Sequence, residues 1–166
     1  MSRERTAEKA EHARAQSLWE LGTKRLTEGR VLEALRLYEE SIALRPTAEG
    51  YTYRGWAVSS LGDLDKAMED CRKAICLDPD FGNPYNDIGA YLIQQGRHND
   101  AIPWLESAKR AKRYETRHFA YLNLGRVYLA RGEKMRALDE LAKALELSPG
   151  EPSILKELQR IDYSVH

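Results

Sequence analysis

The chain holds few of the residues from which closed sites are built. Only two cysteines occur in 166 residues, Cys71 and Cys76. Five positions apart on one predicted helix, they face different ways and give neither a zinc nor a redox spacing. Both read as reduced packing residues. Runs of β-branched residues are absent, which argues against strands, and no stretch approaches the roughly 20 consecutive apolar residues of a spanning helix. Charge of one sign is also lacking: Lys plus Arg and Asp plus Glu both number 26, so no net field draws the chain to nucleic acid or to a membrane. The start, Met1 to Lys9, has no apolar region of the kind that makes a secretory signal, so a cytoplasmic protein is expected. The histidines His12, His98, His118 and His166 have no carboxylate or cysteine at ligand spacing. Neither a phosphate-cradling glycine loop nor a nucleophile motif occurs. The expectation is no enzyme: no catalytic residue, no metal and no cofactor.

What is present is a repeat. Gly22, Gly55, Gly89 and Gly125 are each followed twelve residues later by an alanine, at Ala34, Ala67, Ala101 and Ala137, and successive glycines stand 33, 34 and 36 residues apart. A second glycine follows seven residues after the first, at Gly29, Gly62, Gly96 and Gly132. Three units end in proline, at Pro46, Pro79 and Pro149. A period of about 34 residues implies an array of stacked units, which more often presents a surface than performs a reaction.

The fourth unit shows the pattern best. Tyr121, Leu124, Gly125 and Tyr128 recur at helical spacing and predict one helix; Ala137, Leu138, Leu141, Ala144 and Leu145 predict a second. Gly132 between them suits the left-handed conformation that ends a helix. Gly125 and Ala137 have a physical reason to be small, since antiparallel helices with a short connection approach closely only over short side chains. The other units follow the same logic. Asp63 reads as the cap of a helix beginning at Leu64, Asn83 before Pro84 as an N-cap, and Pro103 as setting a helix start near Asn99 or kinking the helix.

These residues resemble the tetratricopeptide repeat family, across four consecutive units. The match takes in the glycines and alanines above, a further small residue at Ser41, Ala74, Ala108 and Ala144, and the three prolines. Arg25 and Arg54 depart from it, standing where the family usually has larger apolar residues. The resemblance implies an all-α fold, a right-handed α-solenoid of four tetratricopeptide helix hairpins with a C-terminal capping helix. The expected organisation is a charged N-terminal helical extension over 1–14 and the four-repeat domain over 15–149, in units of about 15–47, 48–81, 82–117 and 118–149. Residues 150–166 form the capping helix and tail, with Ile154, Leu155, Leu158 and Ile161 on one face to cover the last unit.

The third junction is irregular. It lacks the terminal proline, and Lys109 and Ala111 replace the apolar pair that ends the other units, so a longer or differently bent helix is expected. Residues 109–117 hold five basic side chains against one acidic. They read either as a contact for an acidic peptide or nucleic acid, with Tyr114 free to stack, or as a solvated helix end whose cations favour the helix C-terminal dipole.

The resemblance also implies that a second stripe on the first helix of each unit lines a concave groove that takes a peptide or a partner helix. On that stripe lie Trp19, Tyr53 and Trp56, then Asn86, Asp87, Asn123 and Arg126, along with Thr23, Asn83, Phe119 and Leu122. Asn can grip a peptide bond from both sides and Arg can clamp a carboxylate, while Trp and Tyr supply apolar area at little entropy cost. The Lys, Asn, Asn, Lys, Arg clamp of chaperone-tail adaptors is not matched, because Trp19, Thr23, Tyr53, Asn83 and Asp87 stand at its positions. The expected role is a protein–protein interaction scaffold or adaptor whose partner is a peptide segment of another protein. Nucleic acid and membrane are not expected partners. The alternative is a self-association module forming a homodimer; type III secretion chaperones, a further comparison, generally carry three units rather than four.

Overall fold

The computed structural model describes residues 2–163, with side chains over 4–161; His166 lies outside the described residues. Nine helices form among the described residues: α1 (Ser2–Thr27), α2 (Val31–Leu44), α3 (Ala48–Ser60), α4 (Leu64–Leu77), α5 (Asn83–Gln94), α6 (His98–Arg110), α7 (His118–Ala130), α8 (Lys134–Leu147) and α9 (Pro152–Tyr163). None is long and apolar enough to cross a membrane. The fold class is an all-α helical repeat. The helices group into two compact units, Met1–Pro79 and Asp80–His166.

In the first unit α1 packs on α2 and α3 on α4, with α2 and α1 both touching α3. Residues 4–14 of α1 are exposed. In the second unit α5 packs on α6 and α7 on α8, with α9 laid against α8 and α7. The two kinds of repeated glycine have different causes. Gly62 sits at φ +91° between α3 and α4 with open space where a side chain would stand, so it is the backbone conformation that calls for glycine there. At Gly89, by contrast, an added Cβ would stand 2.4 Å from Leu105 Cδ2, and at Gly125 it would stand 2.7 Å from Leu141 Cγ. Gly22 meets Tyr38 in the same way, at 2.8 Å; at Gly55 the nearest atom is the Ala67 carbonyl oxygen, at 3.0 Å, with Cys71 Sγ at 3.6 Å. Gly22, Gly89 and Gly125 therefore receive the side chain four residues after the alanine of their unit, Gly55 lies against the backbone of the facing helix, and the four alanines are fully buried.

Several local expectations are corrected. Asn83 is the first residue of α5 and not its cap; Gly82 precedes it and makes no side-chain cap. The helix at the third junction is not lengthened: α6 ends at Arg110 and carries Pro103 inside it. The chain then folds back, pairing Phe81 with Arg113 through Gly82 N–H to Arg113 O (2.9 Å) and Arg113 N–H to Asp80 O (2.9 Å). Tyr114 is buried, seated where a Cβ on Gly82 would be 2.4 Å from its own, so it is not free to stack. Cys71 is buried, but Cys76 is exposed and is not a core residue. Asp63 does cap α4, its carboxylate accepting Lys66 N–H at 3.0 Å.

Candidate functional site

The seven residues marked by the sequence fall into one group in each unit. In the first unit Trp19 of α1 stacks on Tyr53 of α3, with ring centroids 5.2 Å apart and planes 19° from parallel. Tyr38 of α2 lies on Tyr53 at 6.4 Å. The Tyr38 hydroxyl is fixed by Thr23 Oγ1 at 3.1 Å, and burial pushes its pKa up to about 12. Three aromatic rings from three helices thus make a rigid stack, in which Trp19 and Tyr53 remain half-buried. Trp56, one helical turn beyond Tyr53, is 44% exposed, a large apolar surface left to solvent beside that stack.

In the second unit the polar members join one another. Asn123 Nδ2 donates to Asn86 Oδ1 at 3.0 Å, and Arg126 Nη1 donates to Asn123 Oδ1 at 3.2 Å. Arg126 Nε donates to Glu157 Oε1 at 2.9 Å, and Arg160 Nη1 to Glu157 Oε2 at 2.9 Å. The chain of bonds runs from α5 through α7 to α9. Both asparagines are buried, so part of the capacity expected to grip a peptide is spent within the fold. Leu122 is buried as well, packed with Ile154 and Ile161 of α9, and Phe119 lies against the same cluster. Asp87 hydrogen-bonds Asn86; desolvation of its carboxyl pushes its pKa up to about 7, the bond to Asn86 opposing the rise. Burial, and after it the charge of Asp87, also pushes the Tyr114 phenol up.

Two acidic partners escaped the sequence reading. Glu157 is buried although it carries a carboxylate, because both oxygens accept from guanidinium groups. Its signal was available: it stands three residues after Ile154 and four before Ile161, an acid on the apolar face of a helix. Asp70 is the counterpart in the first unit, buried and bidentate with Arg54 at 2.8 and 2.6 Å. Arg54, out of place in an apolar repeat position, is explained by that partner.

The basic segment is engaged within its own unit. Lys109 pairs with Glu106 (3.2 Å) and Glu140 (3.1 Å) and lies over the Tyr121 ring. Burial acts against its charge, but these acidic partners hold its pKa above the usual value. Lys112 reaches Asp80 at 3.2 Å, and Arg113 covers the Phe81 ring at 4.1 Å. Arg117 donates to the Lys109 and Ala111 carbonyls at the end of α6, which is the helix-end role of a basic side chain. Among the described residues no group of His, Cys, Asp and Glu is arranged to hold a metal ion.

The hairpins and their glycine contacts define a helical-repeat interaction fold, and comparison with known proteins gives the family. Residues 48–81 and residues 120–151 each match the family described as Tetratricopeptide repeat. The chain belongs to the tetratricopeptide-repeat family. It is 32% identical over 91 residues to small glutamine-rich tetratricopeptide repeat-containing protein 2 of Mycosarcoma maydis, covering 54% of this chain and 26% of that protein. To the type IV pilus assembly protein PilF of Pseudomonas aeruginosa it is 30% identical over 97 residues, 58% of this chain and 38% of PilF. A solved Pseudomonas aeruginosa PilF structure matches with a TM-score of 0.86 at 23% identity, over 93% of this chain and 70% of that one. YrrB, described as a TPR protein with an unusual peptide-binding site, matches with a TM-score of 0.67 at 17% identity, over 87% of this chain and 74% of that one. The two sequence relatives are thus much longer than this chain, and the structural matches establish the fold. Proteins of this family mediate protein–protein interaction.

Proposed function

We propose that the chain is a cytoplasmic adaptor, without enzymatic activity, that binds a peptide segment of another protein along the stripe carrying Trp19, Tyr53, Trp56, Asn86, Asp87, Asn123 and Arg126. The observation that carries this reading is the aromatic stack of the first unit with Trp56 exposed beside it. A rigid, half-open aromatic surface offers apolar contact at low entropy cost and is the composition of a binding hot spot. The polar chain of the second unit supports a different task, orientation: its hydrogen bonds fix Arg126 while leaving some of its N–H groups available to a ligand. YrrB, with its peptide-binding site, is a neighbour in fold and agrees in kind. Residues 1–14 serve as an extension, 15–149 as the binding array and 150–166 as its cap.

Nucleic acid is disfavoured as a partner because all five basic residues of 109–117 contact acidic side chains, carbonyls or a ring within the second unit. The test is affinity capture with the wild type and with Trp56→Ala, followed by NMR titration with a peptide from the captured protein. Shifts at Trp19, Tyr53 and Trp56, with roughly 5- to 150-fold weaker binding by Trp56→Ala, are expected for an anchor of about 1 to 3 kcal/mol. Shifts confined to the α2, α4, α6 and α8 surfaces, or to 109–117, would overturn the reading. Self-association through the tryptophans predicts instead a concentration-dependent dimer in sedimentation that Trp56→Ala converts to monomer.

A further inference from the structure

A cleft of about 420 Å³ opens in the second unit among α5, α6, α7 and α9, with His98, Arg126, Glu157 and Arg160 as its polar lining and Ile93 and Leu129 among its apolar walls. Its charges do not balance. Two guanidinium groups meet at Glu157, which supplies a single carboxylate and is buried between them. Each guanidinium has five N–H donors, of which the bonds described take two in Arg126 and one in Arg160. Glu151 feels Arg126 at longer range, but its own carboxylate is turned to Ser153. Among the described residues the cleft is therefore short of one negative charge, and it has donors to spare. Glu157 holds both arginines in place, so little ordering is left for a ligand to bring about.

We propose that this cleft is a subsite for one carboxylate, the side chain of a glutamate in the partner peptide, received by Arg126 and Arg160. The deficit of one charge fits a carboxylate better than a phosphate dianion, and Arg forks match carboxylate oxygens in pairs. Ile93 and Leu129 suit the aliphatic stem of glutamate. None of the positions that correspond to the chaperone-tail clamp takes part. The inference rests on the peptide-adaptor reading and gives it a preference: the segment bound by the second unit carries an acidic residue.

The test is an NMR titration of the full chain with three separate probes: N-acetyl-glutamate methylamide, its glutamine counterpart and inorganic phosphate. The glutamate probe is expected to shift the amides of His98, Ala130 and Arg160, and the glutamine probe to leave them in place. Arg160→Gln, whose amide can still donate to Glu157 and whose folding is checked by its thermal melt, should weaken the glutamate probe about tenfold. An equal response to the glutamine probe, tighter binding of phosphate than of glutamate, shifts outside the cleft, or no effect of Arg160→Gln would each overturn the subsite. Loss of partner capture by Trp56→Ala alongside an inert Arg160→Gln would sink the subsite and keep the adaptor; the reverse result would sink the aromatic anchor.

Discussion

Arg54 of α3 and Asp70 of α4 form a two-pronged ion pair, Nε to Oδ2 at 2.8 Å and Nη2 to Oδ1 at 2.6 Å, with the Asp70 side chain only 2% exposed. It ties the two helices of one hairpin beside the close contact at Gly55. Removing one partner leaves the other charge buried and alone, so Asp70→Ala should cost about 3 kcal/mol in urea denaturation. Replacing both, as Arg54→Met with Asp70→Leu, should recover most of that loss. A double variant as unstable as Asp70→Ala would show that the pair matters by something other than mutual neutralisation.

The two kinds of glycine predict different responses to alanine. Gly89→Ala places a methyl against the Leu105 side chain and should destabilise by about 1 to 3 kcal/mol through overpacking. Adding Leu105→Val should return part of it. At Gly96, φ is +73° with nothing near, so Gly96→Ala should cost about 1 kcal/mol and no change at Leu105 should relieve it. Thermal melts of the four variants separate crowding from backbone strain.

Asp87 predicts a pH dependence of definite sign. Its pKa, raised to about 7 by desolvation, lies above that of an Asp in the unfolded chain, near 4. Between those values the folded state holds the proton and the unfolded state has lost it, so this group's contribution is full below about pH 4 and fades as pH rises to about 7. Asp87→Asn should flatten that part of the stability profile and raise stability at neutral pH relative to wild type. An unchanged slope between pH 4 and 7 would rule Asp87 out as its source.

Ile154 is fully buried in the cluster that α9 forms with Leu122 and Leu141. Ile154→Ala should cost about 2 to 4 kcal/mol. Deletion of residues 150–166 should uncover Leu122 and Leu141 as well, lowering the melting temperature and promoting aggregation. A truncated chain that melts and dissolves like the full one would count against the capping role of this segment.

Trp56, 44% exposed, should tolerate alanine with a stability change of about 1 kcal/mol or less. Trp19→Ala should cost more, because it removes the ring stacked on Tyr53. Chemical denaturation decides between them, and a stable Trp56→Ala makes any loss of partner binding interpretable as a lost contact.

By itself the sequence determined the helices, their pairing and the glycine turn within each hairpin. These follow from features repeated at fixed short spacing: a glycine and, twelve residues on, an alanine where two helices pack closely, and a left-handed glycine seven residues after the first, set by backbone geometry. The family resemblance marked which residues share a face, and so picked out Trp19, Tyr53 and Trp56 together and Asn86, Asn123 and Arg126 together. It could not say what lies opposite that face. Asn86 and Asn123 bond one another across 37 residues, and Arg126 finds Glu157 across 31. Lys109 finds Glu140, and Tyr114 turns inward onto Gly82, because the chain after α6 folds back. Only the tertiary structure decided these pairings, since a buried polar group takes whichever complementary group the packing of another helix delivers, and that delivery has no period in the sequence.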